Sequence, residues 1–148
     1  MIMSNKKNIL KEEQAMPRVI EGKRDVFISY KIEEGTYIGD NTKIGNDCRI
    51  HRNVFIDKNV KIGNLVKIQN NNSIYEGENL EDGVFVGTIV TFINDRHPRA
   101  ILKNGNQVGR DDWTMGKIHV CYGASIGAGS VIMCGKDGKE LTIGNGLW

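Results

Sequence analysis

The stretch KIEEGTYIGDNTKIGNDCRIHRNVFIDKNVKIGNLVKIQNNNSIYEGENLEDGVFVGTIVTF, residues 31–92, sets a large apolar residue at every sixth position: Ile32, Ile38, Ile44, Ile50, Ile56, Ile62, Ile68, Ile74, Leu80, Val86 and Phe92. An α-helix does not fit this period. At about 100° per residue, six steps turn roughly 600°, so successive apolar residues would spread over three sides of a helix instead of lining one stripe. A strand fits. Two residues ahead of the ladder stand Cys48, Val54, Val60, Val66, Val84 and Val90, with Thr36 and Thr42 earlier, and residues two apart on a strand point to the same side. Each six-residue unit therefore turns one large aliphatic and one small or β-branched side chain inward. Directly after the ladder residue comes Gly39, Gly45, Gly63 or Gly87, or polar His51, Asp57, Gln69 or Glu81. These types predict a corner, and the glycines predict a positive φ at that place. Three units close one triangular coil, and coils stacked at this period form a solenoid.

The rest of the composition agrees with a single domain of 148 residues. A net charge of +2 points to no nucleic acid or other polyanionic partner. The opening MIMSNKKNIL is too polar for a signal peptide, and no apolar run is long enough to span a membrane. The three cysteines form an odd set without a CxxC pair, and the ladder phase turns Cys48 inward as a small apolar filler. Reduced thiols and a cytoplasmic location follow as the expectation.

Four parts are visible along the chain. Residues 1–24 are charged and mixed, with NILKEEQA suited to a helical turn or two. Residues 25–92 form the first repeat block, and Val26 carries the ladder one step back to make four full coils. Residues 93–117 break the period with an NDRHPR cluster, an Asn-Gly turn and an Asp pair beside Trp113. A long excursion that the coil does not require is expected to be a functional loop. Residues 118–148 resume the ladder at Val120, Ile126 and Ile132, with Ile118, Ala124 and Ser130 two places ahead of them. KDGKE interrupts once more before Leu141 and Ile143, and the chain as given stops at Trp148 inside a unit. This predicts a C-terminally truncated solenoid, with weak cofactor affinity and end-to-end association unless Leu147 and Trp148 seal the last coil.

The ladder resembles the left-handed parallel β-helix of hexapeptide-repeat acyltransferases. More narrowly, VKIGNLVKIQNNNSIYEGENLEDGVFVG (residues 60–87) and TFINDRHPRA (residues 91–100) are similar to nucleotide-sugar N-acetyltransferases. These include the enzymes that acetylate UDP-2-acetamido-3-amino-2,3-dideoxyglucuronate and those that act on dTDP-linked amino deoxyhexoses. GASIGAGSVIMCG (residues 123–135) resembles the later coils of that family. The resemblance implies acetyl-CoA as co-substrate without a metal, a nucleotide-linked amino sugar as acceptor, and a homotrimer with its sites between subunits. Two departures stand out. Asn72 occupies an inward position where valine is usual, which predicts a buried amide with partners of its own. Gly83 stands where an acidic residue is common.

Acetyl transfer to an amine needs a neutral nitrogen aimed at a thioester carbonyl, donors for the developing oxyanion and an acceptor for the proton. The run Gln69, Asn70, Asn71, Asn72 and Ser73 offers neutral amides at one corner, and an amide oxygen orients an amine without pairing with it as a carboxylate would. The resemblance assigns the orienting role to Asn70 or Asn71 and lets the departing thiolate take the proton. His97 is the alternative general base. Gln69, Tyr75, Glu76, Asp82 and Asn94 are candidate contacts to sugar or base, and Arg96 and Arg99 offer guanidinium groups to a diphosphate. Backbone amides near Gly127 and Ala128 are candidates to line the pantetheine arm.

Each choice has a plainer reading. Asn-rich corners are ordinary turn chemistry, a loop histidine and loop arginines are ordinary solvated groups, and Gly127 and Ala128 suit the coil in any case. Two other functions compete. One is a β-helix scaffold with an incomplete cofactor groove. The other is a zinc carbonic anhydrase of related fold, which would need His51, His97 and His119 to converge, although their separations of 46 and 22 residues include no close pair.

Overall fold

The computed structural model describes residues 24–26 and 31–144. They form a left-handed parallel β-helix of triangular section. The first face stacks six strands: Arg24–Val26, Thr42–Ile44, Lys61–Ile62, Glu78–Leu80, Lys117–Val120 and Glu140–Ile143. A second face stacks Lys31–Ile32, Arg49–Ile50, Lys67–Ile68, Phe85–Val86 and Ser125–Ile126. The third stacks Tyr37–Ile38, Phe55–Ile56, Ser73–Ile74, Thr91–Ile93 and Val131–Met133. All pairings between these coil strands are parallel, and the ladder residues meet in register from coil to coil: Ile44 with Ile62, Leu80 with Val120, Ile50 with Ile68, Phe92 with Ile132. Val26 pairs with Ile44, as its phase requires. The expected turn in NILKEEQA and the ending at Leu147 and Trp148 lie outside the described residues.

The core is the ladder. Every ladder residue from Ile32 to Phe92 is buried, as are Val120, Ile126 and Ile132. The slot two places earlier is buried from Thr36 to Val90 and again at Ile118 and Ala124. Thr36, Thr42, Cys48 and Asn72 in that slot satisfy their burial in one recurring way, by bonding the corner carbonyl fifteen residues on. Thr36 Oγ1 donates to His51 O at 2.9 Å, Thr42 Oγ1 to Asp57 O at 2.6 Å, and Cys48 Sγ to Gly63 O at 3.0 Å. Burial pushes the Cys48 thiol above its usual range, in keeping with an inert filler. Asn72 follows the same rule: Nδ2 donates to Gly87 O at 2.8 Å and Gln69 O at 2.7 Å, while Oδ1 accepts from Val90 N at 2.7 Å.

Positive φ does not fall where the sequence pattern placed it. It recurs three places after the ladder residue, at Asn41, Asp47, Asn53, Asn59, Leu65, Asn71 and Ile89 and at glycines in the corresponding corners. The glycine directly after the ladder residue answers to space instead. A Cβ on Gly63 would lie 2.3 Å from Asp82 Oδ1 and 2.6 Å from Asp82 N in the next coil. At Gly63 the backbone of the next coil comes that close, so a side chain pointing the same way would force it aside.

Candidate functional site

The prism has three edges, and the candidate residues are distributed over all of them. Gln69, Asn70 and Asn71 lie on the edge between the second and third faces, and Gly127 and Ala128 lie on the same edge two coils further on. Asp82 lies on the edge between the first and second faces. Tyr75, Glu76, Asn94, Arg96, His97 and Arg99 lie on the third-to-first edge or in the excursion that leaves it. One protomer therefore does not bring the candidate amides and the loop cations together. The three histidines also stand apart: His51 on the second-to-third edge beside Glu33 at 3.5 Å, His97 in the excursion, His119 on the outer side of the first face.

On the amide edge, Asn70 and Asn71 are both exposed. Asn71 holds a φ of 60°, and its Oδ1 accepts from Asn53 Nδ2 at 3.4 Å in the coil before. Its side chain and backbone are thus part of the corner stack, while Asn70 contributes its carbonyl to Ile89 N at 3.2 Å. Asp82 is likewise engaged in its own corner, accepting from Asn64 N at 2.7 Å and Asn64 Nδ2 at 3.2 Å.

On the third-to-first edge, Tyr75 extends an aromatic row with Phe55 and Tyr37, ring centroids 5.8 and 5.1 Å apart. Glu76 accepts from Asn59 Nδ2 at 2.7 Å and lies 3.5 Å from Lys58 Nζ. Asn94 closes the base of the excursion. Its carbonyl accepts from Gly116 N at 2.7 Å and its Nδ2 donates to Glu76 O at 3.0 Å. The strands bound the excursion at residues 94–116, and within it residues 100–108 form a hairpin over the Asn104–Gly105 turn, with Ile101 bridged to Gln107. Between the excursion and the 136–138 turn lies a cavity of about 230 Å³, lined by Asp95, Arg96, His97, Asp112, Trp113, Thr114, Cys134 and Asp137 among others. Arg96 Nη1 donates to Cys134 O at 2.5 Å, which ties the loop to the fifth coil. Arg99 is exposed, its Nη1 donating to the neighbouring Pro98 carbonyl at 2.8 Å. His97 and Arg96 thus share one polar hollow with Trp113.

A further cluster escaped the sequence reading. His119 Nε2 lies 2.7 Å from Glu81 Oε1, His119 Nδ1 lies 3.1 Å from Asn79 Nδ2, and Tyr122 N donates to Glu81 Oε2 at 2.6 Å. The histidine and the Tyr122 amide hold the Glu81 carboxyl below its usual range. Aligning Leu80 with Val120 across the excursion would have revealed it, since that register sets Asn79 against His119 and Glu81 against Cys121.

The bacterial transferase hexapeptide (six repeats) family model matches residues 29–64 and, in an overlapping second match, 41–76. Residues 31–76 of that match lie in the first three coils, and over this stretch the chain is similar to the hexapeptide-repeat transferases. No curated protein matches the chain. Among the described residues no helix is long and apolar enough to cross a membrane.

Proposed function

We propose that this protein is an acyltransferase that moves an acetyl group from acetyl-CoA to the amino group of a nucleotide-linked amino sugar, acting as a homotrimer. The match of the first coils to the bacterial transferase hexapeptide carries the transferase reading. The resemblance of residues 60–100 to nucleotide-sugar N-acetyltransferases supports the finer substrate. In this reading the sugar amine attacks the thioester carbonyl, the C–N bond forms, the C–S bond breaks, and the amine proton leaves with the thiolate. Asn70 is the better of the two orienting amides, because Asn71 is already bound into the corner by Asn53 and a left-handed backbone. Gly127 and Ala128, exposed on the same edge, support a pantetheine track running along it. The scatter of the remaining candidates over the other edges favours a site completed by a neighbouring subunit, where the excursion of one protomer would face the amide edge of the next. A thermal-shift titration tests the reading. Acetyl-CoA and a uridine or thymidine diphosphate should each raise the melting temperature, and a scaffold without a cofactor groove would respond to neither.

A further inference from the structure

We infer that Glu81, His119 and Cys121 form a zinc-type divalent cation site on the outer side of the first face, joining the fourth coil to the fifth across the excursion. Their ligand atoms, one carboxylate oxygen, one imidazole nitrogen and one thiol sulfur, all lie within 4.8 Å of one another. A tetrahedral zinc shell with bonds of about 2.0–2.3 Å places ligand atoms roughly 3.3–3.7 Å apart, so small rotations of side chains suffice. Mixed nitrogen, sulfur and oxygen donors suit zinc and cobalt, whereas magnesium and calcium prefer oxygen alone. All three side chains are partly exposed, which leaves a path for the ion.

Glu81 has an orienting partner already in place, and His119 gains one when the Asn79 side-chain amide turns over. Glu81 Oε2 accepts from Tyr122 N at 2.6 Å, which leaves Oε1 for the ion. His119 presents Nε2, its Nδ1 lying 3.1 Å from the Asn79 side-chain amide. With the Asn79 oxygen turned toward the ring, the ring proton sits on Nδ1 and Nε2 is free to ligate, the arrangement that metal-bound imidazoles need. Cys121 is fixed by its backbone, whose N–H donates to Ile143 O at 3.0 Å in the following coil. Binding would break the Nε2···Oε1 hydrogen bond, place both atoms on the ion and release the thiol proton of Cys121 to solvent. The carboxylate and the thiolate together balance a charge of two. Three protein ligands leave a fourth position, and a groove of about 420 Å³ reaches Glu81 along Lys43, Lys61 and Tyr122.

The test uses tag-free, chelator-treated protein titrated with cobalt(II), and with zinc(II) in competition against a chromophoric chelator. One equivalent of cobalt should bind and produce a thiolate-to-cobalt charge-transfer band. Cys121→Ser should abolish the band, and His119→Gln should weaken zinc binding by at least tenfold, each with the β-sheet circular dichroism unchanged. His51→Gln, on another edge, should leave both readouts intact. A wild-type protein that shows no stoichiometric binding overturns the assignment, and so does a band that survives in Cys121→Ser. If the cluster serves only as the Glu81–His119 ion pair, zinc will bind no more tightly to wild type than to His119→Gln, which also overturns it.

Discussion

Replacing Glu78 should stabilise the protein, and increasingly so as the pH rises. Glu78 fills an inward slot on the first face, paired in register with Ile118 of the next coil, and only 2% of its surface is accessible. Neither carboxyl oxygen has a hydrogen-bond partner. The rule that satisfies Thr36, Thr42, Cys48 and Asn72 fails here for a structural reason. Fifteen residues on from Glu78 is Ile93, where the chain departs into the excursion instead of turning a short corner, and the Ile93 carbonyl accepts from Cys134 N. Burial, with a smaller push from the Asp57 charge, raises the Glu78 pKa from 4.5 to about 9, against a lowering contribution from the Tyr75 backbone. The folded protein thus holds a proton that the unfolded chain releases, so this group's destabilising effect is absent below about pH 4.5, grows as the pH rises toward 9, and is constant above it. At pH 7 the difference spans about 2.5 pH units, and at roughly 1.4 kcal/mol per unit that amounts to about 3 kcal/mol. Glu78→Val matches Val60 in the preceding coil, removes the titration and restores an apolar slot. After roughly 1 kcal/mol for the lost volume, it should gain about 2 kcal/mol at pH 7. Glu78→Gln keeps the shape and removes only the titration. Urea denaturation between pH 5 and 8, at fixed protein concentration, should show wild type losing stability relative to Glu78→Gln by about 1.4 kcal/mol per pH unit. Parallel pH profiles for wild type and Glu78→Gln, or a Glu78→Val protein less stable at pH 7, would show that Glu78 is not a buried, unpartnered carboxyl.

Other outcomes follow from the corners and the proposed site. Asn72→Val, though valine fills the same slot at Val54 and Val90, should destabilise by about 1–2 kcal/mol, because it leaves Val90 N and two carbonyls without their amide partner; chemical denaturation reads this directly. Ile89→Asn should stabilise by roughly 1 kcal/mol, since a β-branched residue at a φ of 56° is strained where asparagine is not, and a lower denaturation midpoint for the variant would count against that. Asn70→Ala should reduce acetyl transfer by about 10² with the fold intact, and His97→Ala should have a much smaller effect if the thiolate takes the proton; the reverse order in turnover assays would move the catalytic role to His97. Sedimentation should give a trimer, and a stable, active monomer would remove the shared site.

The fold was legible because the ladder repeats the same burial decision many times, so no single ambiguous residue mattered. Corner chemistry was only half legible. Glycine is used both for close backbone approach, as at Gly63, and for positive φ, as at Gly83, and residue type does not separate the two uses. Counting by eighteen assigns Asn70 and Glu76 to different edges, but chemistry alone groups them as neighbours within one sequence run. The excursion hid the rest. It separates Glu81 from Cys121 by forty residues, although the coils set them side by side, and it removes the corner carbonyl that Glu78 would need. Asn94 offers itself in sequence as a contact to sugar or base, while in space its two bonds to Gly116 and Glu76 hold the loop shut at its base.

Mass spectrometry of the acceptor is the decisive measurement for acetyl transfer. Incubated with acetyl-CoA and a panel of UDP- and dTDP-linked amino sugars, the protein should convert at least one sugar to its N-acetyl form with release of one equivalent of free coenzyme A. Recovery of every sugar unmodified, with acetyl-CoA intact, would mean that the protein is not an acetyltransferase for these acceptors.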